Sequence, residues 1–333
     1  MLHSLPYSAP AGNTSPSTQP RVLSHTTSTV QRRPIERALV RAEEAIVRQV
    51  DAPSSELEGL WDSIVCDGDV KERLVRHAAL ALAVRPRLPF TTTAMHGLML
   101  LHGPPGTGKT TLARGLVQEL ARVVNGSVRL VDINPHGLMS GEHGKSQQLV
   151  SSLLTEAIPR VADDRVPTVV VLDEVESMAV ARSEASLAAN PVDVHRATDA
   201  VLTAMDDLAH HHPHVLVVAT SNFTGGLDEA FVSRADIAIE VALPNELALT
   251  EIVRDALRGY GAAYPALAEL ASGAALSRVG KQLVGRDGRA ARKLVAEAAA
   301  RRLETAIDPG RLTIADLLAA AGQPVREVSR GAA

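Results

Sequence analysis

"LMLLHGPPGTGKTTLARGLV", residues 98–117, joins a strand pattern, a turn and a helix pattern without a gap. A continuous apolar run, Leu98 to Leu101, enters a glycine-rich turn; beyond it Leu112, Leu116 and Val117 recur at helical spacing. The turn fits G-x-x-x-x-G-K-[ST], and the flanking elements supply the context that makes the match specific. Gly103, Gly106 and Gly108 free the backbone to turn its N–H groups towards a phosphate, and Pro104, Pro105, Thr107 and Thr111 complete the loop. Lys109 is spaced to reach β and γ phosphates and Thr110 to bind Mg²⁺, while the helix that follows aims the positive end of its dipole at the anion. The loop predicts ATP and Mg²⁺ as cofactors.

On either side the chain alternates in the same way. "VRLVDI" (128–133), "TVVVLDE" (168–174), "VLVVATSN" (215–222) and "IAIEVAL" (237–243) are short apolar runs separated by helical patterns, among them Leu149, Leu153, Leu154 and Val201, Leu202, Met205, Leu208. Runs of this kind belong to strands covered on both faces, hence to a parallel sheet. With the run at 98–103 they predict an α/β fold with a five-stranded parallel sheet. After Pro244 the strand patterns stop, and helical stretches such as "ELALTEIVRDALRG" predict an all-α lid. The expected order is a disordered arm (1–34), an N-terminal helical segment (35–90), the α/β nucleotide-binding domain (91–244), the lid (245–322) and a tail (323–333). In the helical segment Ile35, Ala38, Leu39, Ala42 and Ile46 share one face, and a second helix carries Leu74, Ala78 and Leu82.

"VVVLDEVESM" (169–178) places three acids where an apolar strand leaves the core. In phosphate-loop enzymes an acid at such a strand end helps hold Mg²⁺, a role that falls to Asp173. Glu174, pointing elsewhere, is the candidate to polarise the water that attacks the γ phosphate. Glu176 is expected to face solvent or a neighbouring subunit. Ser221 and Asn222 end the next strand, where a neutral amide or hydroxyl is placed to bond the γ phosphate or the same water.

The net charge of −4 gives no general cationic field for nucleic acid or an anionic membrane. A single cysteine, Cys66, excludes an intrachain disulfide and a thiolate metal cluster. No run approaches ~18 apolar residues, and the first thirty residues lack the apolar core of a secretory signal, so a cytoplasmic protein without membrane contact is expected. The histidines of "HHHPH" (210–214) are read as a solvated turn rather than a metal site.

Phosphate loop, acidic pair, polar strand end and helical lid occur in the order of an AAA+ ATPase. "LWDSIV" (60–65), "LDEVESM", "DAVLTAMDDL", "ATSN" and "AFVSRADI" narrow the resemblance, over residues 57–320, to the pachytene-checkpoint family of hexameric ATPases that remodel HORMA-domain proteins. It implies a homohexamer and a HORMA-domain partner, while the acidic balance and the absence of an appended DNA-binding pattern argue against nucleic acid. It also implies that Arg234 in "FVSRAD" enters the neighbouring subunit's nucleotide site, and that Arg289 in "GRDGRAARKL" senses the phosphates from the lid, with Arg286 and Arg292 as alternatives. The family's pore loop corresponds to 134–150, where Glu142 and His143 replace the expected aromatics and leave hydrogen bonding and charge to grip substrate. A second pore loop corresponds to 182–196. The short N-terminal layout resembles bacterial members associated with HORMA proteins and cyclic-oligonucleotide anti-phage signalling. Two other classes stay open at this point: a DNA-directed AAA+ motor or loader, and a nucleotide-gated scaffold without useful turnover.

Overall fold

The computed structural model describes residues 38–66, 68–134, 138, 145–162, 165–179, 191–222 and 224–322. Its strands are β1 (Ile46–Ala52), β2 (Leu98–His102), β3 (Val128–Ile133), β4 (Thr168–Leu172), β5 (Val215–Ser221) and β6 (Ile237–Glu240). They form one sheet in the order β1-β3-β4-β5-β2-β6. The five strands expected from the sequence pair in parallel throughout. Alternate residues feed opposite layers, as the pleat requires. Leu98, Leu100, Val170 and Leu172 join the core on one face, and Met99, Leu101, Val169 and Val171 join the core on the other.

The sixth strand corrects the sequence reading. Residues 38–44 are helical (α1), but the expected helix does not continue through Ile46. Instead β1 runs antiparallel along β3, with Asp51 opposite Arg129. Arg129 donates from Nε and Nη2 to the two Asp51 carboxylate oxygens at 2.7 and 3.0 Å. The helical spacing of Ala38, Leu39 and Ala42 hides a switch to extended backbone at Ala45, because Ile46 satisfies both periods. What decides is the open edge of β3, whose N–H and C=O groups β1 satisfies.

Around the sheet lie α2 (Val70–Val84), α3 (Phe90–Thr93), α4 (Lys109–Val124), α5 (Lys145–Ser152), α6 (Ile158–Val161), α7 (Pro191–His211) and α8 (Glu229–Ser233). A π-helical turn, Leu153–Ala157, joins α5 to α6. Helices α2 and α4 cover one face through Leu74, Ala78, Leu112 and Leu116. Helices α5 and α7 cover the other through Leu149, Val201 and Met205.

Beyond β6 the chain is helical: α9 (Glu246–Gly261), α10 (Pro265–Ala271), α11 (Leu276–Gln282), α12 (Gly288–Ala299), α13 (Leu303–Ile307) and α14 (Ile314–Ala321). These helices surround a separate apolar cluster that includes Leu249, Val253, Leu276, Leu294 and Leu317. Polar side chains just ahead of three of them fix their starts. Asn245 accepts the Ala248 N–H at 2.9 Å, Asp287 accepts that of Ala290 at 2.7 Å, and Thr313 with Asp316 forms a capping box. Each such cap stabilises its helix by roughly 1 kcal/mol. "LWDSIV" spans the junction: Trp61 and Ile64 pack on the sheet cluster, whereas Val65 packs on the lid cluster. The expected arm and tail, Glu142 and His143 of the first loop, and most of 182–196 lie outside the described residues.

Candidate functional site

The loop at 103–108 takes the backbone that its glycines allow. Gly103, Gly106 and Gly108 have φ of 141°, 78° and 94°. Space adds a second reason at Gly106, where a Cβ would lie 2.4 Å from the Asp287 carboxyl carbon at the start of α12. Lys109, the first residue of α4, is buried, and its Nζ donates to Gly103 O and Pro104 O at 2.8 Å and to Asn222 Oδ1 at 3.0 Å. Burial pushes the ammonium below the usual lysine range, opposed by the charges of Glu176, Asp173 and Glu174. Thr107 bonds back to Pro104 O at 3.0 Å, while Pro105 stays exposed.

Asp173 follows the last residue of β4 and receives two hydroxyls on one oxygen. Thr110 Oγ1 donates to its Oδ1 at 2.6 Å and Thr220 Oγ1 at 2.5 Å. Thr220 Oγ1 also accepts the Glu174 N–H at 3.1 Å. Glu174 sits in the left-handed region, φ 52°, which turns its side chain away from that of Asp173. There it accepts Asn222 Nδ2 at 3.2 Å. The strand ends of β4 and β5 thus bring Asp173, Glu174 and Asn222 into one hydrogen-bonded set with Lys109 and Thr110. Glu176 differs from expectation. It turns inward, accepting the Asn222 N–H at 3.2 Å on Oε1, because the 3-10 turn Val175–Ser177 carries it back towards β5.

The lid meets the loop directly. Arg289 N–H donates to Gly106 O at 3.2 Å, and the Arg289 charge further depresses the Lys109 ammonium. A cavity of about 220 Å³ opens between Gly106, Thr107, Gly108 and Thr111 on one side and Ile252, Gly288, Arg289 and Arg292 on the other. Ser63, Ile64 and Val65 close its end. The alternatives to Arg289 separate: Arg292 lines the cavity but donates to Ser63 O at 2.8 Å, while Arg286 reaches across the lid to Ala321 O at 2.7 Å.

Arg234 stands apart from this set. It caps α8, and its Nε and Nη2 donate to the two oxygens of Asp206 on α7 at 2.8 and 2.9 Å. The shared hydrogen bonds hold Asp206 below the usual carboxylate range and raise Arg234 above its ordinary value.

Thr220 lies in "ATSN" and Asp206 in "DAVLTAMDDL", motifs that carry the resemblance but assign neither side chain to the site: Thr220 sits within an apolar run, and Asp206 is one of two adjacent aspartates on a helix. Behind Asp173 and Glu174 a second cavity of about 290 Å³ is lined by Arg114, Asp132 and Asn134. Arg114 Nε donates to Asp132 Oδ2 at 2.7 Å there. The stretch Ser63–Val65, which closes the cavity, lies in "LWDSIV", a motif that carries the resemblance and gives no sign of a place in the site. The histidines at 210–214 bond to backbone: His210 to Asp206 O, His211 to Asp207 O and His214 to Ala162 O. Among the described residues no group of three or more His, Cys, Asp or Glu is arranged to hold a metal ion.

Residues 99–243 match the model of the ATPase family associated with various cellular activities (AAA). The chain is 45% identical to CD-NTase-associated protein 6 of Pseudomonas aeruginosa, over 84% of its own length and 91% of the relative's. It is 37% identical to a pachytene checkpoint protein 2 homolog of Arabidopsis thaliana, matching 69% of its own length and only half of that protein's. In structure it resembles C. elegans PCH-2, with a TM-score of 0.67 and 23% identity over 82% of this chain and 73% of that one. It also resembles a chain of an E. coli HORMA:CdnC:Trip13 complex, with a TM-score of 0.68 and 18% identity over 85% and 96%. At such identities the structural likeness carries the fold. The kinship in sequence carries the family: this chain belongs to the AAA ATPases, in the pachytene-checkpoint group of bacterial type, and it binds nucleotide and hydrolyses ATP.

Proposed function

We propose that the chain acts in the cytoplasm as a homohexamer that spends ATP to change the conformation of a HORMA-domain protein in bacterial anti-phage signalling. Two comparisons support the partner: a relative named for association with a CD-NTase, and a structural neighbour solved in a HORMA:CdnC:Trip13 complex. No described helix is long and apolar enough to cross a membrane.

The chemistry rests on one observation, the two hydroxyls of Thr110 and Thr220 meeting at a single oxygen of Asp173. A carboxylate beside a threonine hydroxyl suits Mg²⁺, which keeps several waters and binds through one or two carboxylates plus substrate phosphates. Thr110 and Asp173 would hold the ion, which would supply positive charge to offset that of the phosphates. Lys109, kept at the loop mouth by Gly103, Pro104 and Asn222, would exchange those acceptors for β and γ phosphate oxygens. Gly103 to Thr111 would wrap the phosphates with backbone N–H groups, and Arg289 would reach them from the lid. Glu174 would take a proton from the attacking water, with Asn222 orienting the carboxylate. Arg234 would stabilise the transferred charge in the next subunit.

A Glu174→Gln variant tests this. It keeps ATP affinity and loses turnover by about 10²-fold or more, the scale of a missing general base. Incubated with ATP and Mg²⁺, it should retain a purified HORMA-domain protein in a pull-down. Normal hydrolysis by the variant removes Glu174 from the role; DNA-stimulated hydrolysis by the native chain and no HORMA retention would replace the partner assignment.

A further inference from the structure

His96 lies ahead of β2, outside every motif discussed above, yet its ring touches the carboxylate that grips Arg234. Its Nε2 stands 3.3 Å from Asp206 Oδ1, the oxygen that also accepts Arg234 Nε at 2.8 Å. The imidazole is largely buried, with a side-chain exposure of 18%, and it meets the edge of Phe90 with ring centroids 4.9 Å apart. Asp206 is therefore held from two sides, by a guanidinium fork on one and a ring N–H on the other. Its remaining freedom to rotate is small.

The backbone beneath His96 is fixed independently of its ring. The N–H groups of His96 and Gly97 donate to Asp236 Oδ1 and Oδ2 at 2.9 and 2.7 Å. Asp236 lies two residues beyond Arg234 in the chain. Behind it stands the buried Arg85, whose Nη1 donates to Val215 O at 2.6 Å and whose charge faces Asp236. One residue thus ties both ends of the Arg234 segment: the His96 backbone binds the carboxylate after it, and the His96 ring binds the carboxylate that holds its side chain.

We propose that His96 is a positioning residue for Arg234, acting through the Asp206 carboxylate that both side chains share. The inference rests on the assignment of Arg234 to the neighbouring subunit's site. A neutral imidazole donating to Asp206 leaves the second oxygen and one lone pair of the first for the guanidinium, so Arg234 is presented in one orientation. Protonation at the other ring nitrogen leaves that bond in place and adds a positive charge beside Arg234 on the same carboxylate. The charged groups facing the ring are Asp206 from α7 and Arg234 and Asp236 from the stretch after α8; the titratable His210 of α7 faces Asp206, and Arg85 faces Asp236. Desolvation by burial holds the imidazole below its ordinary range, opposed by Asp206 and Asp236 and assisted by Arg234, so the neutral form prevails at neutral pH.

The test uses two substitutions in the full chain. His96→Gln keeps an N–H donor near the position of Nε2, and His96→Leu removes it while preserving bulk against Phe90. With turnover and nucleotide affinity measured separately, His96→Leu should lose about tenfold in kcat with unchanged ATP affinity, in keeping with a lost hydrogen bond to a charged group. His96→Gln should stay within about twofold of the native chain and lose the part of its acid-side pH dependence that belongs to the imidazole. Because the defect acts on the neighbouring site, mixing His96→Leu with Glu174→Gln protein should give more hydrolysis than the two measured apart. Arg234→Ala mixed with Glu174→Gln is the control. If that control shows no rescue, the cross-subunit assignment of Arg234 falls; if it rescues while His96→Leu hydrolyses normally or is not rescued, only the role of His96 is overturned.

Discussion

Thr220 carries no charge and still joins both acids of the site. Its hydroxyl donates to Asp173 and accepts the N–H of Glu174, the residue held at φ 52°. A non-glycine residue in the left-handed region costs on the order of 1–3 kcal/mol, so such a conformation persists only where neighbours fix it. Thr220→Val preserves shape and removes both bonds. We expect turnover to fall about tenfold, by the scale of a lost bond to a charged group, with a smaller change in ATP affinity. Phosphate release and nucleotide titration measure the two, and Thr220→Ser should recover most of the loss. Unaltered turnover in the valine variant would remove Thr220 from the site. The contrast with Asp173 explains what can be read from a sequence at this scale. An acid that ends an apolar run violates the strand pattern and draws notice; a threonine inside a run obeys it and disappears.

Elements were legible where one period dominates. The five parallel strands and the lid helices follow from apolar runs and helical spacing. Strand β1 was not, since its helical alternative fits the same residues and the choice depends on the edge of β3, more than seventy residues away in sequence. Close packing is equally invisible. In the lid, α9 and α11 approach so tightly at Gly280 that a Cβ there would stand 2.0 Å from Thr250 Oγ1 and 2.8 Å from Glu246 O. Gly280→Ala should force these helices apart and destabilise the chain by roughly 2 kcal/mol, the usual scale of overpacking. Thermal and urea unfolding would register it as a lower midpoint. Adding Thr250→Ala should return part of the loss, because the nearer obstacle is that hydroxyl; a pair of substitutions that simply add would place the strain elsewhere.

At the scale of the whole molecule, burial of two histidines sets how stability responds to acid. Burial is the largest cause that lowers His96, and likewise His102, which ends β2 opposite Glu240 and is depressed further by Lys109. The unfolded chain then takes up protons near the ordinary imidazole value of about 6.5 while the folded chain still refuses them. Between that value and the lower folded ones the unfolded state binds more protons, so stability rises with pH across the interval and is lost on acidification. Asp236, raised by burial, has the opposite sense but titrates from the carboxylate range upward, while Asp51 and Asp206, lowered by their arginine partners, lose their contribution only in stronger acid. Thermal midpoints of the nucleotide-free chain should therefore fall between pH 7.5 and about 5.5, the histidine window. Replacing both histidines by glutamine, which cannot take the proton, should flatten that slope while leaving the decline below about pH 4 in place. An identical slope in the double variant would mean that the two rings do not govern the response, and that the proton uptake lies with other groups of the fold.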